Sequence, residues 1–215
     1  MKHFTAPYIS DDFAANDFEL LSARINDSNN ELIDNLLWSE SGYRPHVAFR
    51  MAYTSESILL KFMVREKYIK ADYHQINDPV YKDSCVELFI AFDNDPAYYN
   101  LEFNYLGTAL VGYGCFRTSR TPIEKQWIEK IKSYSIQPTE NKNDKIFEWE
   151  LILKIPFSLF QYNNIKTLEN QVCKVNLYKC GDDLPEPHYL SWNNITNPEP
   201  NFHLPEFFGE VRFIK

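Results

Sequence analysis

Apolar and polar residues alternate one by one along much of this chain, and short polar turns interrupt the alternation. Val86, Leu88, Ile90 and Phe92 fall on one side of their segment, and Cys85, Glu87, Phe89 and Ala91 on the other. After the acidic turn Asp93-Asn94-Asp95-Pro96, Tyr99, Leu101, Phe103 and Tyr105 share one face, and Tyr98, Asn100, Glu102 and Asn104 the opposite one. Successive side chains of a strand point to opposite faces, so each run predicts a half-buried β-strand. The same pattern predicts strands over residues 47–53, 58–65, 109–117, 146–155, 172–179 and 210–214. Polar stretches at 66–79 and 138–145 read as loops, and Pro156 to Phe160 as a strand break. Phe18 to Ile25 reads as an early strand, and Glu31 to Leu37 as a short helix or an approach to the core. Glu124 to Lys132 reads as a helical turn or the start of a strand.

About ten strands at short spacing, without helices alternating between them, predict an all-β fold. The expected form is an antiparallel β-sandwich, jelly-roll or immunoglobulin-like, with short helical insertions. Residues 1–215 read as a single domain, with 1–37 an N-terminal extension packed on it. Aromatic content (14 Tyr and 16 Phe) supports strands and large contact surfaces. Six glycines and no glycine-rich fingerprint leave no phosphate-cradling loop. A net charge of −8 with scattered Lys and Arg speaks against nucleic-acid partners. No run approaches the ~20 apolar residues that span a bilayer, and MKHFTAPYISDDF lacks the apolar stretch of an export signal. No membrane partner is expected, and a cytoplasmic location is the default. Cys85, Cys115, Cys173 and Cys180 lack CxxC spacing and read as buried free thiols.

The polar side of the two central strands is the candidate functional surface, with Glu87, Asn100, Glu102 and Asn104 together among aromatic neighbours. Sugar rings stack on aromatic faces, and their hydroxyls need charged or amide partners. The run DSCVELFI, the aromatic strand ending in FN at Asn104, and the close LSWNNITNPEPNFHLPEFFGEVRFIK resemble the family 9 carbohydrate-binding modules. The resemblance is densest over residues 78–108 and 189–215 and looser over 38–66 and 146–180. It implies non-catalytic recognition of a mono- or oligosaccharide, such as a chain end, in carbohydrate breakdown alongside glycoside hydrolases. It also implies two aromatic residues sandwiching a terminal sugar. The first falls at Tyr81 when Val86-Glu87 anchors the match, or at Val80 when Asp83-Ser84 does. The second falls at Phe202. The acid of the VE pair is Glu87, Asn104 closes the strand, and Trp192 matches the family's SW block, as a core residue or as a binding platform. A basic residue of the family pattern stands here as Glu102, an inversion of charge.

Other functions remain open on sequence alone. Glu87 and Glu102 on one face have the residue types of a glycoside hydrolase, and a protein-interaction sandwich with a decayed sugar site would also carry Glu102. No cofactor is expected, and Met51 and Met63 lie in core strands rather than in a haem site. The acidic turns Asp93-Asn94-Asp95 and Asp182-Asp183 are the candidates for a structural calcium, and the five His residues lack the spacing of a zinc site. The oligomeric state cannot be read.

Overall fold

The computed structural model describes residues 1–11, 17–93, 95–141 and 145–215. Two β-sheets face each other, as the alternation predicts. The larger runs in the order β1 (His3–Pro7), β14 (Gly209–Ile214), β12 (Val172–Cys180), β6 (Cys85–Ala91), β7 (Tyr98–Asn104), β8 (Ala109–Gly114) and β9 (Thr121–Pro122). Strand β13 (Tyr189–Ser191) branches from β12 and pairs with β3 (Asn35–Leu37). The smaller sheet runs β10 (Lys132–Asn141), β11 (Ile146–Pro156), β5 (Ser57–Glu66), β4 (His46–Tyr53) and β2 (Asn30–Leu32). Neighbouring strands are antiparallel except β1 and β14, which are parallel. The described residues form fourteen strands rather than about ten; short β2, β3, β9 and β13 escape a pattern test that needs several alternations.

The predicted apolar faces meet between the sheets. Val86, Leu88, Ile90, Tyr99, Leu101 and Phe103 from the large sheet pack with Phe49, Phe62, Leu151 and Leu153 from the small one. Trp149 joins this core and donates from Nε1 to Glu66 at 2.7 Å. Glu66 in turn pairs with Lys179 of the opposite sheet at 2.9 Å, and both side chains are fully buried. This buried ion pair links the two sheets.

Two expectations need correction. Phe18–Ile25 is a helix, α1, not a strand. Leu21 and Ile25, four residues apart, lie on one helical face and pack on Ala52, Leu59 and Ile152, while the Asp17 carboxylate accepts from the Leu20 N–H at 3.0 Å. The 31–37 segment is the approach to the core rather than a helix: Ile33 and Leu37 are buried, and β2 and β3 flank Ile33, so the chain before Trp38 supplies strands to both sheets. The 124–132 segment contains both readings, a one-turn helix α2 (Lys125–Ile128) and the first residue of β10.

The second correction decides where the site lies. Strands β6 and β7 are buried on both faces, not on one. A roof formed by residues 193–208 lies over the outer face. Phe202, Leu204, Phe207 and Phe208 pack there on Phe89, Tyr98 and Tyr178. Its polar backbone is satisfied locally: Asn193 Nδ2 donates to the Phe207 carbonyl at 2.7 Å, and Tyr178 Oη donates to the Phe202 carbonyl at 3.1 Å. The roof begins at Trp192 and ends at Gly209. A Cβ at Gly209 would lie 2.6 Å from the Trp192 ring and 2.8 Å from the Lys2 carbonyl, so only glycine lets the chain re-enter the sheet there. Trp192 is core, 0 % exposed, and donates to Glu31 at 3.2 Å.

Candidate functional site

Between the roof and strands β6, β7 and β12 lies a cavity of ≈ 340 Å³. Apolar walls come from Trp38, Tyr81, Leu110, Tyr189 and Phe202, and acids come from Glu87, Glu102 and Asp182. This size admits a single sugar ring. Tyr81 and Phe202, about 120 residues apart in the chain, therefore share one cavity, and Glu87 and Glu102 share it with them. Of the two alignments of the first aromatic position, only the Tyr81 one reaches the site, because Val80 is fully buried beside Cys85 and Cys180.

Two sequence-expected residues lie elsewhere. Asn104 is fully buried, and its amide donates to the Asp83 carboxylate at 3.0 Å and to the Tyr73 carbonyl at 2.8 Å. Its Oδ1 accepts from the Leu106 and Thr108 N–H groups. Asn104 is a turn-former, committed to three backbone groups and the Asp83 carboxylate. Trp192 packs between the sheets against Phe49 at 5.8 Å and forms no wall of the cavity.

The floor is held by cross-strand pairing. Glu87 stands directly opposite Glu102 in the β6–β7 register, and Cys85 opposite Cys180 in the β6–β12 register. Cys180 Sγ donates to Glu87 Oε1 at 3.1 Å. Asn100 Nδ2 donates to Glu102 Oε1 at 2.8 Å, and Asn100 Oδ1 accepts from Arg120 Nε at 2.6 Å. Arg120 lies over the Tyr98 ring at 4.4 Å and reaches Asn100 across Gly112, where a Cβ would stand 2.8 Å from Asn100 Oδ1. Its remaining N–H groups go to the carbonyls of Tyr98, Gly112, Gly114 and Phe116. All five of its donors are thus committed to the protein.

Burial raises both floor carboxyls. Glu102 is pushed up to about 7 by desolvation, against the lowering influence of the Asn100 hydrogen bond and of Arg120. Glu87 is raised well above the usual carboxylate range, first by desolvation and then by Cys180 and Glu102. Asp182 rises to about 6, again chiefly by burial. His203, whose Nδ1 meets Tyr98 Oη at 2.9 Å, is held near 3 by burial and is neutral.

The walls are packed aromatics rather than free-standing rings. Phe202 stacks on Tyr178 at 4.2 Å with 10° between planes, so one of its faces is already covered. Trp38 leans on it at 5.8 Å and ties the far end of the wall down through Nε1–H to the Asn197 carbonyl at 2.6 Å. Sequence reading did not assign Trp38, Arg120 or Tyr189 to the site. Trp38 follows directly on a short strand, in a left-handed backbone position (φ 46°), where no alternation marks it.

As for ions, the thiol sulfurs of Cys85 and Cys180 and a Glu87 oxygen lie within 4.8 Å of one another under the floor. Two thiols and a carboxylate are donors that a soft divalent ion accepts, once their protons leave. Burial pushes the Cys85 thiol up to about 12 and the Cys180 thiol up as well, so both are neutral in the protein as it stands. Of the two turns considered for calcium, Asn94 lies outside the described residues. Asp95 accepts from the Ala97 N–H and the Tyr113 hydroxyl, and Asp183 pairs with Lys70 and Lys82. Cys85, Cys173 and Cys180 are buried free thiols as expected, and Cys115 is half-buried.

The sequence model of carbohydrate-binding family 9 matches residues 18–213. The chain belongs to carbohydrate-binding family 9. A crystal structure of a candidate carbohydrate-binding protein from Bacteroides uniformis is 32% identical, with a TM-score of 0.89 and 99% of each chain covered. Two structures of a family 9 module from Caldicellulosiruptor kristjanssonii, one with glucose and one with cellotriose, share 12% identity each. Their TM-scores are 0.61 and 0.59, over 99% of this chain and 95% and 94% of theirs. At that identity the likeness carries the fold, which is the family 9 sandwich. No curated protein matches the chain.

Proposed function

We propose that this family 9 domain binds the terminal residue of a mono- or oligosaccharide in the cavity under the roof, without catalysing its cleavage. The observation that carries the reading is the convergence of Tyr81, Trp38 and Phe202 with Glu87 and Glu102 around one ring-sized space. Aromatic walls stack on sugar C–H faces, and buried carboxylates accept from hydroxyls, strongly so away from water. A roofed cavity that admits one ring favours a chain end over the middle of a polymer.

The hydrolase alternative asks one carboxyl to stay protonated while the other ionises. Here burial raises both Glu87 and Glu102, less so Glu102, which Asn100 and Arg120 hold down; family membership, rather than this difference, weighs against cleavage. The pair suits recognition. The decayed-site alternative predicts a collapsed or filled pocket, whereas the floor carboxyls still open onto a cavity.

The test is a titration with free hexoses, pentoses and short oligosaccharides, followed by a glycan array. Saturable binding, on the order of micromolar to millimolar Kd, with no hydrolysis of aryl glycosides, is the expected result. Hydrolysis that disappears in Glu87→Gln would establish an enzyme instead.

A further inference from the structure

We propose that the sugar held in this cavity carries a free primary amino group, bound as the ammonium, and that Glu102 is the residue that selects it. The inference rests on the sugar-binding reading and narrows its ligand from sugars at large to amino sugars with an unacylated nitrogen.

The argument begins with an unmet need. Glu102 is 5 % exposed, and its Oε2 is buried with no hydrogen-bond partner. Its other oxygen is fixed by Asn100, which is fixed by Arg120, so the carboxyl cannot turn to satisfy both oxygens at once. Glu87, directly opposite, takes its hydrogen bond from a thiol, a weak donor. Among the described residues, no Lys, Arg or His comes within ion-pair distance of either acid. Arg120 acts on Glu102 through its charge, but its five donors are spent on Asn100 and four carbonyls. Arg117, at the rim, is exposed and donates to the Pro200 carbonyl. Asp182 adds a third carboxyl to the lining.

A buried acceptor left without a donor is costly unless a ligand supplies one. Two groups of a sugar donate, a hydroxyl and an ammonium. A hydroxyl offers one hydrogen and brings an oxygen that needs a donor of its own, which this floor is short of. An ammonium offers three hydrogens and no acceptor, the complement of two facing carboxyls once they are ionised and only accept. It also supplies the positive charge that lets a desolvated carboxyl pair ionise.

The experiment compares, near pH 7, three forms of each of two sugars: glucosamine, glucose and N-acetylglucosamine, and the matching galactose set. Binding is followed by calorimetry or by the amide NMR shifts of the protein. Acetylation keeps the nitrogen but removes its charge and two of its hydrogens. One of the amines should bind about tenfold more tightly than its parent hexose, and its N-acetyl form should lose that gain. In Glu102→Gln, a swap of nearly equal shape, the preference for the amine should vanish. Equal or weaker binding of both amines relative to their parent sugars would overturn the amino-sugar proposal while leaving sugar binding intact. A preference that survives Glu102→Gln would reduce it to general attraction of cations to an acidic protein and overturn it too. Failure of every sugar, on the array as well, would remove the sugar-binding reading itself.

Discussion

At the scale of single residues, the site is governed by how little water reaches two acids. Glu102 holds its proton up to about pH 7, whereas in an unfolded chain it would release it near its ordinary value of ~4.3. The folded state therefore binds this proton more tightly. That contribution to stability is complete below the unfolded value and is lost as pH rises through 7. Ligand-free protein should lose roughly 3 kcal/mol through Glu102 between pH 4 and 8, with Glu87 and Asp182 acting in the same direction. His203, held near 3, acts in the opposite direction below its ordinary value of ~6.5, so the whole curve is not the test. The difference between wild type and Glu102→Gln is. Denaturant melts should show the variant's relative stability increasing with pH across that window; a constant difference would mean that Glu102 ionises freely. Gly112 yields a second residue-scale expectation. Gly112→Ala sets a methyl 2.8 Å from Asn100 Oδ1, so it should part Arg120 from Asn100 and cost on the order of 1–3 kcal/mol by overpacking.

At the scale of elements, the roof over residues 193–208 matters most. Phe202 is both wall and support, because it stacks on Tyr178 and contacts Trp38 and Tyr189. Phe202→Ala should therefore weaken sugar binding and also lower stability, by roughly 2–4 kcal/mol for a half-buried aromatic. Trp38→Phe keeps an aromatic wall but loses the bond to Asn197. It should weaken binding with a smaller loss of stability, on the order of 1 kcal/mol. A thermal melt of each variant beside its sugar titration separates the two effects. The roof also explains what the sequence could and could not reveal. The strands were legible because period-2 alternation marks side chains that face a shared core. Burial of the polar face was not, because Phe202, Leu204, Phe207 and Phe208 cover it from a segment without periodicity. The same blind spot hid α1, where Leu21 and Ile25 suit a helix and a strand alike over so short a run, and it hid Trp38. Arg120 escaped because its partners, Asn100 and four carbonyls, become its neighbours only when β7, β8 and the loop before β9 are assembled. Asn104 lies off the site for the reverse reason, and Trp192 takes the core one of its two readings. Their positions match a family pattern, but their contacts are with the turn at 104–108 and the core.

At the scale of the whole molecule, one buried ion pair joins the two sheets. Lys179 of the large sheet and Glu66 of the small one are both 0 % exposed, with Trp149 and His188 around them. Removing one partner leaves the other buried and charged, so Lys179→Met should cost about 3–5 kcal/mol, with a cooperative drop in melting temperature. The sandwich thereby supplies a stiff floor to a cavity whose lining comes from both ends of the chain, from Trp38 to His203. Family membership and this geometry are the two supports of the proposed sugar site at the roofed end. The most direct measurement is an amide NMR titration of the intact protein with a panel of sugars. Saturable shifts centred on Trp38, Tyr81, Glu87, Glu102 and Phe202 are the predicted result. Binding whose shifts lie on another face of the sandwich, or no shift with any sugar, would contradict the account.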